Sequence, residues 1–356
     1  MTARSTAPKA LTSVGDLIGA GLVPAERRAA LEPVAARYAV SITSAVAALI
    51  DPADPADPIA RQFVPDLREL DDDPIARADP IGDDAHSPVP GIVHRHRDRV
   101  LVKLINACPV YCRFCFRRET VGPGAGALTP DELEAALGYI AGHPEIWEVV
   151  FTGGDPFMVS ARRAAELVQR LSAIAHLKVL RWHTRVPVVA PERLTPELVR
   201  ALASATPASW VVLHANHPRE LGPATRAACA RLIDAGIPML SQSVLLKGVN
   251  DDPSVLAALM RGFVETRIKP YYLHHPDLAP GTAHLRLPLA AGRELVHKLR
   301  ADASGLCQPT YVLDLPGGFG KVPVGPAYLA ALAEDGSGEV RDLAGRSHAY
   351  PPNGEP

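Results

Sequence analysis

What this chain lacks narrows its class before any motif is read. It has five cysteines in 356 residues, far below the cysteine density on which small secreted folds build disulfide scaffolds. Lysine plus arginine (37) nearly balance aspartate plus glutamate (39), for a formal net charge of −2. No basic surplus therefore points to nucleic acid or to an anionic membrane surface. No apolar run approaches the ~20 residues of a membrane span. The opening MTARSTAPKALTS has no continuous apolar stretch of the kind a secretory signal carries. The expectation is a cytoplasmic protein with neither nucleic-acid nor membrane partners. At this length the chain has room for one large α/β domain with additions, or for two ordinary domains.

What cysteine there is, is concentrated. Cys108, Cys112 and Cys115 fall in NACPVYCRFCFRRE as C-x3-C-x2-C. Three thiolates this close can hold three irons of a cubane cluster and leave the fourth without a protein ligand, whereas a structural cluster takes four cysteines. An open iron points to chemistry at the cluster, and the spacing resembles the signature of the radical S-adenosylmethionine enzymes. A zinc site is the competing reading, but zinc motifs usually supply paired ligands at separated positions, and no second C-x2-C occurs. A disulfide cannot pair three cysteines. Cys229 and Cys307 stand alone and read as small packed side chains.

Along the chain, residues 13–50 read as helices, with Ser13 as a cap and Pro24 in a first turn. Residues 51–90 are punctuated by Asp-Pro pairs (DPADPADP, LRELDDDPIARADP) and read as an irregular connector with short helical pieces. From about Val89 apolar, β-branched runs alternate with helical segments. Strand candidates are RVLVKLIN, WEVVFTGG, KVLRWHT, WVVLHAN, PMLSQSVLL and KPYYLHH, with QPTYVLDLPGG as a seventh. Helix candidates between them are TPDELEAALGYIAGH, ARRAAELVQRLSAIA, TPELVRALASA, PATRAACARLIDAG and PSVLAALMRGFVET. This alternation predicts an α/β fold, a parallel sheet with right-handed crossovers closing into a partial (β/α)6-type barrel. The expected divisions are a helical region and connector over 1–88, a barrel core over 89–330, and a peripheral tail over 331–356. Polar residues collect at the strand ends: Cys108, the Gly153-Gly154-Asp155 turn, His183, His214, Asn216, Gln242, His274 and Asp277. In β/α barrels that rim carries the active site.

Several separate blocks together resemble one family, lysine 2,3-aminomutase and its relatives. They are VPGIVHRHRDRVLVKL, NACPVYCRFCFRR, FTGGDP, HANHP, QSVLLKGVND, YYLHHPDLAPGTAHLRLP and DLPGGFGKVP. The resemblance implies a radical SAM barrel with three cofactors: a [4Fe–4S] cluster on Cys108, Cys112 and Cys115, S-adenosylmethionine, and pyridoxal 5′-phosphate. It makes Lys321 the pyridoxal phosphate anchor, Arg95 and Arg99 the phosphate cations, and Arg117 the grip on the substrate α-carboxylate. Asp277 and Asp314 match the pair that holds the ε-ammonium of lysine. Gly153, Gly154 and Asp155 resemble the strand end that meets the methionyl amino group, and His214 and Gln242 match positions near the nucleoside.

The implied isomerisation moves the α-amino group of L-lysine to the β-carbon, started by a 5′-deoxyadenosyl radical that takes hydrogen from Cβ. An electron donor such as flavodoxin or ferredoxin would reduce the cluster. A homo-oligomer, through the N-terminal helices, is left open. Read alone, GGFGK is a turn whose glycines permit close backbone approach, and HRHRDR is a solvated basic turn. The chain departs from the family at His96, where the family has tyrosine, so packing beside the pyridoxal ring is altered. Asp251 and Asp252 follow the QSVLL block where a zinc-binding cysteine is found in relatives, so no structural zinc is expected. Another cationic substrate such as arginine, supply of β-lysine to a translation factor, and a non-catalytic metal-binding protein remain alternatives.

Overall fold

The computed structural model describes residues 10–124 and 126–351. Most of the opening segment, residues 1–9, and the end of the tail, 352–356, lie outside the described residues. One sheet of nine strands runs in the order β1 to β9. These are β1 (Ile92–His96), β2 (Arg99–Ile105), β3 (Glu148–Gly153), β4 (Val179–Thr184), β5 (Ala208–His214), β6 (Met239–Val244), β7 (Lys269–His274), β8 (Thr310–Leu315) and β9 (Gly320–Pro323). From β2 to β8 every neighbouring pair is parallel. The edges are antiparallel, β1 on β2 and β9 on β8. Six helices make the crossovers: Pro130–Gly142, Ala161–Ser172, Pro196–Ala203, Pro223–Asp234, Pro253–Glu265 and Leu289–Asp302. The partial (β/α)6-type barrel expected from the alternation is therefore the fold.

Local chemistry accounts for the crossovers. Thr129 closes a capping box with Glu132 ahead of Pro130, so a first-turn donor and the cap's own N–H are both satisfied. In the helix Ala161–Ser172 the buried side chains are Ala164, Leu167, Val168 and Leu171, the stripe by which a helix lies on a sheet. In β3, Glu148 to Phe151 are buried without interruption, as a strand covered on both faces requires.

Three elements were not anticipated. IVHRH is half polar, yet it forms β1 by pairing with β2. The helix Leu289–Asp302 begins on Pro288 with no side-chain cap and contains Gly292. A Cβ at Gly292 would come within 2.0 Å of the Tyr311 hydroxyl, so this glycine serves helix–strand packing at the cost of helix propensity. The expected peripheral tail carries a short hairpin, β10 (Gly338–Arg341) with β11 (Ser347–Tyr350).

The N-terminal region packs into the barrel's hydrophobic core through Leu17, Leu31, Ile42, Val46 and Phe63. The connector is irregular, as expected, with helical turns at Ala60–Phe63, Leu67–Leu70 and Asp84–His86. It is stitched to the barrel mouth: the Arg77 N–H donates to the Leu278 carbonyl at 2.8 Å, and Arg286 pairs with Asp73. Among the described residues no helix is long and apolar enough to cross a membrane.

Candidate active site

A cavity of about 600 Å³ opens at the C-terminal ends of the strands and runs into the barrel lumen. Every residue to which the resemblance gives a cofactor or substrate role borders it, Cys108, Cys112, Cys115, Asp277, Asp314 and Lys321 among them, whereas Asn216 of the rim does not. That volume lies within the range of small-molecule sites, about 300–1,000 Å³.

The cysteine loop leaves β2 at Ile105 and is held from two sides. From the barrel, the Gly154 N–H donates to Ile105 O (2.7 Å) and the Asp155 N–H to Ala107 O (3.0 Å). From the N-terminal region, the Tyr111 N–H donates to Ser41 O (3.1 Å) and the Arg113 N–H to Gln62 O (2.8 Å). Glu69, fully buried, pairs with both Arg113 and Arg118, two residues before and three residues after the last cysteine. Burial pushes the thiols of Cys108 and Cys115 up, Cys115 to about 11. Burial also raises Cys112, opposed by Arg185, whose Nη1 donates to its Sγ at 3.0 Å. Such thiols hold their protons until a metal displaces them. Among the described residues no three His, Cys, Asp or Glu side chains surround a single metal-ion position. Three thiols bordering one cavity nevertheless form the soft donor set that iron–sulfur clusters use.

The glycine turn after β3 borders the cavity and also packs against the chain itself. A Cβ on Gly154 would stand 2.4 Å from the Ala107 carbonyl oxygen, and Gly153 has φ +103°. The close approach is to the chain's own cysteine loop. Asp155 accepts from the Thr184 hydroxyl (2.7 Å), the Arg185 N–H (2.7 Å) and the Phe157 N–H (3.0 Å). Most of its acceptor capacity is thus spent joining β3 to β4.

Arg117 donates from Nε (3.3 Å) and Nη2 (2.9 Å) to Asp83, and from Nη1 to Thr152 (3.2 Å). Arg95 reaches the same Asp83 (3.2 Å) and the Ile81 carbonyl (2.7 Å). Asp83 comes from the connector and is only 6% exposed. Nothing in an acid-rich, Pro-punctuated stretch distinguishes this aspartate from its neighbours, so sequence reasoning missed it. Arg99 stands apart, paired with Asp98 at 2.8 Å and about one-third exposed. His96 borders the same cavity, its pKa lowered by burial and by Arg99 and Arg95.

Lys321 reaches the mouth because β8 and β9 form a hairpin whose register sets it directly opposite Asp314. Gly317, Gly318 and Gly320 all have φ near +90°, which a chain turning this tightly requires. A Cβ on Gly318 would meet His86 at 2.8 Å, so here too the close approach is to the connector. Lys321 Nζ pairs with Asp314 and lies 3.2 Å from His274 Nδ1. His274 Nδ1 is in turn 3.3 Å from Asp314. His274 and Lys321 hold the Asp314 carboxyl well below the usual range against the effect of burial. Burial and the nearby Asp314 charge push Asp277 up to about 7. Burial takes His214 down to about 3 and lowers His183 and His274 as well, so all three imidazoles are neutral near pH 7. Gln242 borders the lumen between them. The Nε2 atoms of His183 and His274 and the Nε of Arg95 are buried without partners among the described residues. All three belong to residues bordering the cavity. Unpaired buried polar atoms are costly, and here a ligand could satisfy them.

The barrel and its cysteine loop define a radical SAM enzyme, and the model of the Radical SAM superfamily matches residues 102–259. Such enzymes use a [4Fe–4S] cluster and S-adenosylmethionine. The chain belongs to the lysine 2,3-aminomutase family: the Lysine-2,3-aminomutase model matches residues 296–353, and the curated relatives agree. The L-lysine 2,3-aminomutase of Clostridium subterminale is 40% identical over 83% of this chain and 71% of its own length. That of Acetoanaerobium sticklandii is 42% identical over 82% and 70%. The glutamate 2,3-aminomutase of Clostridioides difficile is 32% identical over 86% and 72%. The chain is therefore an isomerase of the radical SAM aminomutase type.

Proposed function

We propose that this chain converts L-lysine to β-lysine, with pyridoxal phosphate carried on Lys321. The observation that carries the reading is that one cavity is bordered by an arginine, Arg117, and by two carboxylates, Asp277 and Asp314. Arg117 suits an α-carboxylate, since a guanidinium matches a carboxylate with parallel hydrogen bonds. Asp314 and Asp277 suit a cationic side chain, which cannot leave water without an anionic partner. An acidic side chain at the same place would meet the Asp314 charge and lose the ion pair, and that disfavours glutamate.

The donor set fits the implied cofactors. Cys108, Cys112 and Cys115 would hold the cluster, with Gly153, Gly154, Asp155, His214 and Gln242 bordering the space for S-adenosylmethionine. Lys321 would hold pyridoxal phosphate, His96 would lie beside its ring, and Arg99 and Arg95 would face its phosphate. When bound, these groups supply the 5′-deoxyadenosyl radical and the carbonyl that carries the migrating nitrogen.

The chain's own residues prepare that chemistry. Lys321 must lose a proton to become nucleophilic. His274 Nδ1 lies 3.2 Å from Nζ and, kept neutral by burial and by Lys321, offers an acceptor through which that proton passes on its way to solvent. Once Lys321 is committed elsewhere, Asp314 loses its internal cation and is free for the substrate ammonium. Lys321 thus stands in for the substrate's side chain until substrate arrives.

Anaerobically reconstituted protein given dithionite, S-adenosylmethionine and a panel of amino acids tests the reading. β-Lysine should be the main product, and Lys321→Ala should lose the visible absorption of lysine-bound pyridoxal phosphate while keeping the cluster's colour. Turnover of glutamate in preference to lysine, or of arginine alone, defeats it.

A further inference from the structure

We propose that Arg185 sets the reduction potential of the cluster by hydrogen bonding to one of its ligand sulfurs. The inference rests on Cys108, Cys112 and Cys115 holding the cluster and is independent of the substrate. Arg185 follows the last residue of β4 and is 7% exposed. Its Nη1 donates to Cys112 Sγ at 3.0 Å. Its Nη2 donates to Gln62 Oε1 at 2.6 Å and pairs with Glu220. The guanidinium lies 4.7 Å from the Phe63 ring centroid and 5.2 Å from that of Phe114, an apolar sandwich that keeps water away.

This arrangement is built to hold the charge still. Gln62 and Glu220 are buried. The second oxygen of Glu220 accepts from the Asn216 N–H (2.6 Å) and the His217 N–H (2.8 Å). Gln62 Oε1 also accepts from Asn216 Nδ2 at 3.1 Å. With both partners fixed, the guanidinium fork can neither rotate away from the sulfur nor approach it more closely. Of the other arginines near the cysteines, Arg113 and Arg118 are taken by Glu69 and Arg117 by Asp83, and none of their guanidinium groups donates to a cysteine sulfur among the described hydrogen bonds.

A cationic donor on a ligand sulfur withdraws electron density and favours the state with one more negative charge. Reduction transfers one electron from an external low-potential donor, here dithionite, to the oxidised cluster. Glu220 is itself anionic, so the charge of the pair largely cancels at long range. The local Nη1–H to Sγ hydrogen bond remains, and Arg185 acts as a positioning residue through Cys112, not as a group touching substrate.

The test is an EPR-monitored redox titration of the full chain, reconstituted anaerobically and assayed for iron and sulfide. Arg185→Gln should reduce at a potential more negative by about 59 mV or more, a tenfold smaller equilibrium constant for one-electron reduction. Arg185→Lys should also shift downward, because a single ammonium drawn to Glu220 cannot reach Cys112 as well. Wild-type potential in fully loaded Arg185→Gln overturns the proposal. Where that variant loads poorly, Arg185→Lys decides, and a wild-type potential there overturns it equally. A wild-type chain that takes up no iron and sulfide refutes the cluster reading itself, a result distinguishable from either.

Discussion

The two ends of the cavity are built on opposite plans. At the cysteine end the guanidinium charges are already paired within the protein, Arg113 and Arg118 with Glu69 and Arg185 with Glu220 and Gln62, although the Nε atoms of Arg118 and Arg185 have no partner among the described residues. At the lysine end His274 Nε2 and His183 Nε2 have no partner, and Asp314 is paired with Lys321, the residue expected to be engaged by a cofactor. The first end has its charges paired by the chain before any small molecule enters, as suits a group that stays. The second holds its charges in provisional pairs, as suits ligands that come and go. Both follow from one constraint: a charge out of water needs a partner. The ends differ only in whether the chain or a ligand supplies it.

The sharpest way to break this contrast is Glu69→Ala. It leaves Arg113 and Arg118 buried side by side with no carboxylate, and removing one partner of such a buried set costs about 3–5 kcal/mol. The expected outcome is a fall in thermal midpoint together with loss of bound iron and sulfide. By contrast Lys321→Ala, which leaves Asp314 to His274 at the provisional end, should leave iron content near wild type and lower the thermal midpoint less than Glu69→Ala does. Equal effects of the two substitutions, read by calorimetry and iron assay, abolish the distinction.

Asp83→Asn probes the boundary between the ends, where one carboxylate serves both Arg95 and Arg117. Asparagine keeps an acceptor but drops the charge that orients both guanidinium groups. The KM for the amino acid substrate should rise about tenfold, ~1.4 kcal/mol, with kcat changed less. Binding of 1,5-diaminopentane, which lacks the α-carboxylate, should stay unchanged. A parallel loss for the diamine would move Asp83 from carboxylate recognition to general support of the fold.

The barrel was legible because its strands and crossover helices are patterned along the chain: apolar runs for strands, Thr-Pro caps and amphipathic stripes for helices. The residues assigned to the site were legible through their blocks and through their place at strand ends. What was not legible lies in contacts between distant segments. Asp83 and Glu69 come from the connector, and their significance appears only when it folds across the barrel mouth onto Arg117 and Arg113. Arg185 sits one residue beyond β4, so attention to every strand end could have found it. Its partners Gln62 and Glu220 are 123 and 35 residues away in sequence, and no local pattern announces them. The GGFGK glycines predict close approach; in the folded chain what approaches Gly318, and Gly154 as well, is the protein itself.

The smallest effect, and the one that most directly reads the provisional end, is the pH response of Asp277. Burial and Asp314 raise its carboxyl from 3.8 to about 7, against the opposing pull of Lys321 and Arg117. Between those values the folded, ligand-free chain binds a proton that the unfolded chain has released, so its stability falls as pH rises through that window. A cationic side chain selects the ionised form, so protons compete with substrate below about pH 7. The KM for lysine should therefore increase about fourfold between about pH 8 and about pH 6.5, the ratio set by one group titrating near 7. Asp277→Asn should have a higher KM throughout and no such slope. The cysteine end contributes no matching response, because a buried arginine keeps its charge across this range. A slope that survives in Asp277→Asn would place the titrating group elsewhere and leave the provisional pairing at this end without its clearest witness.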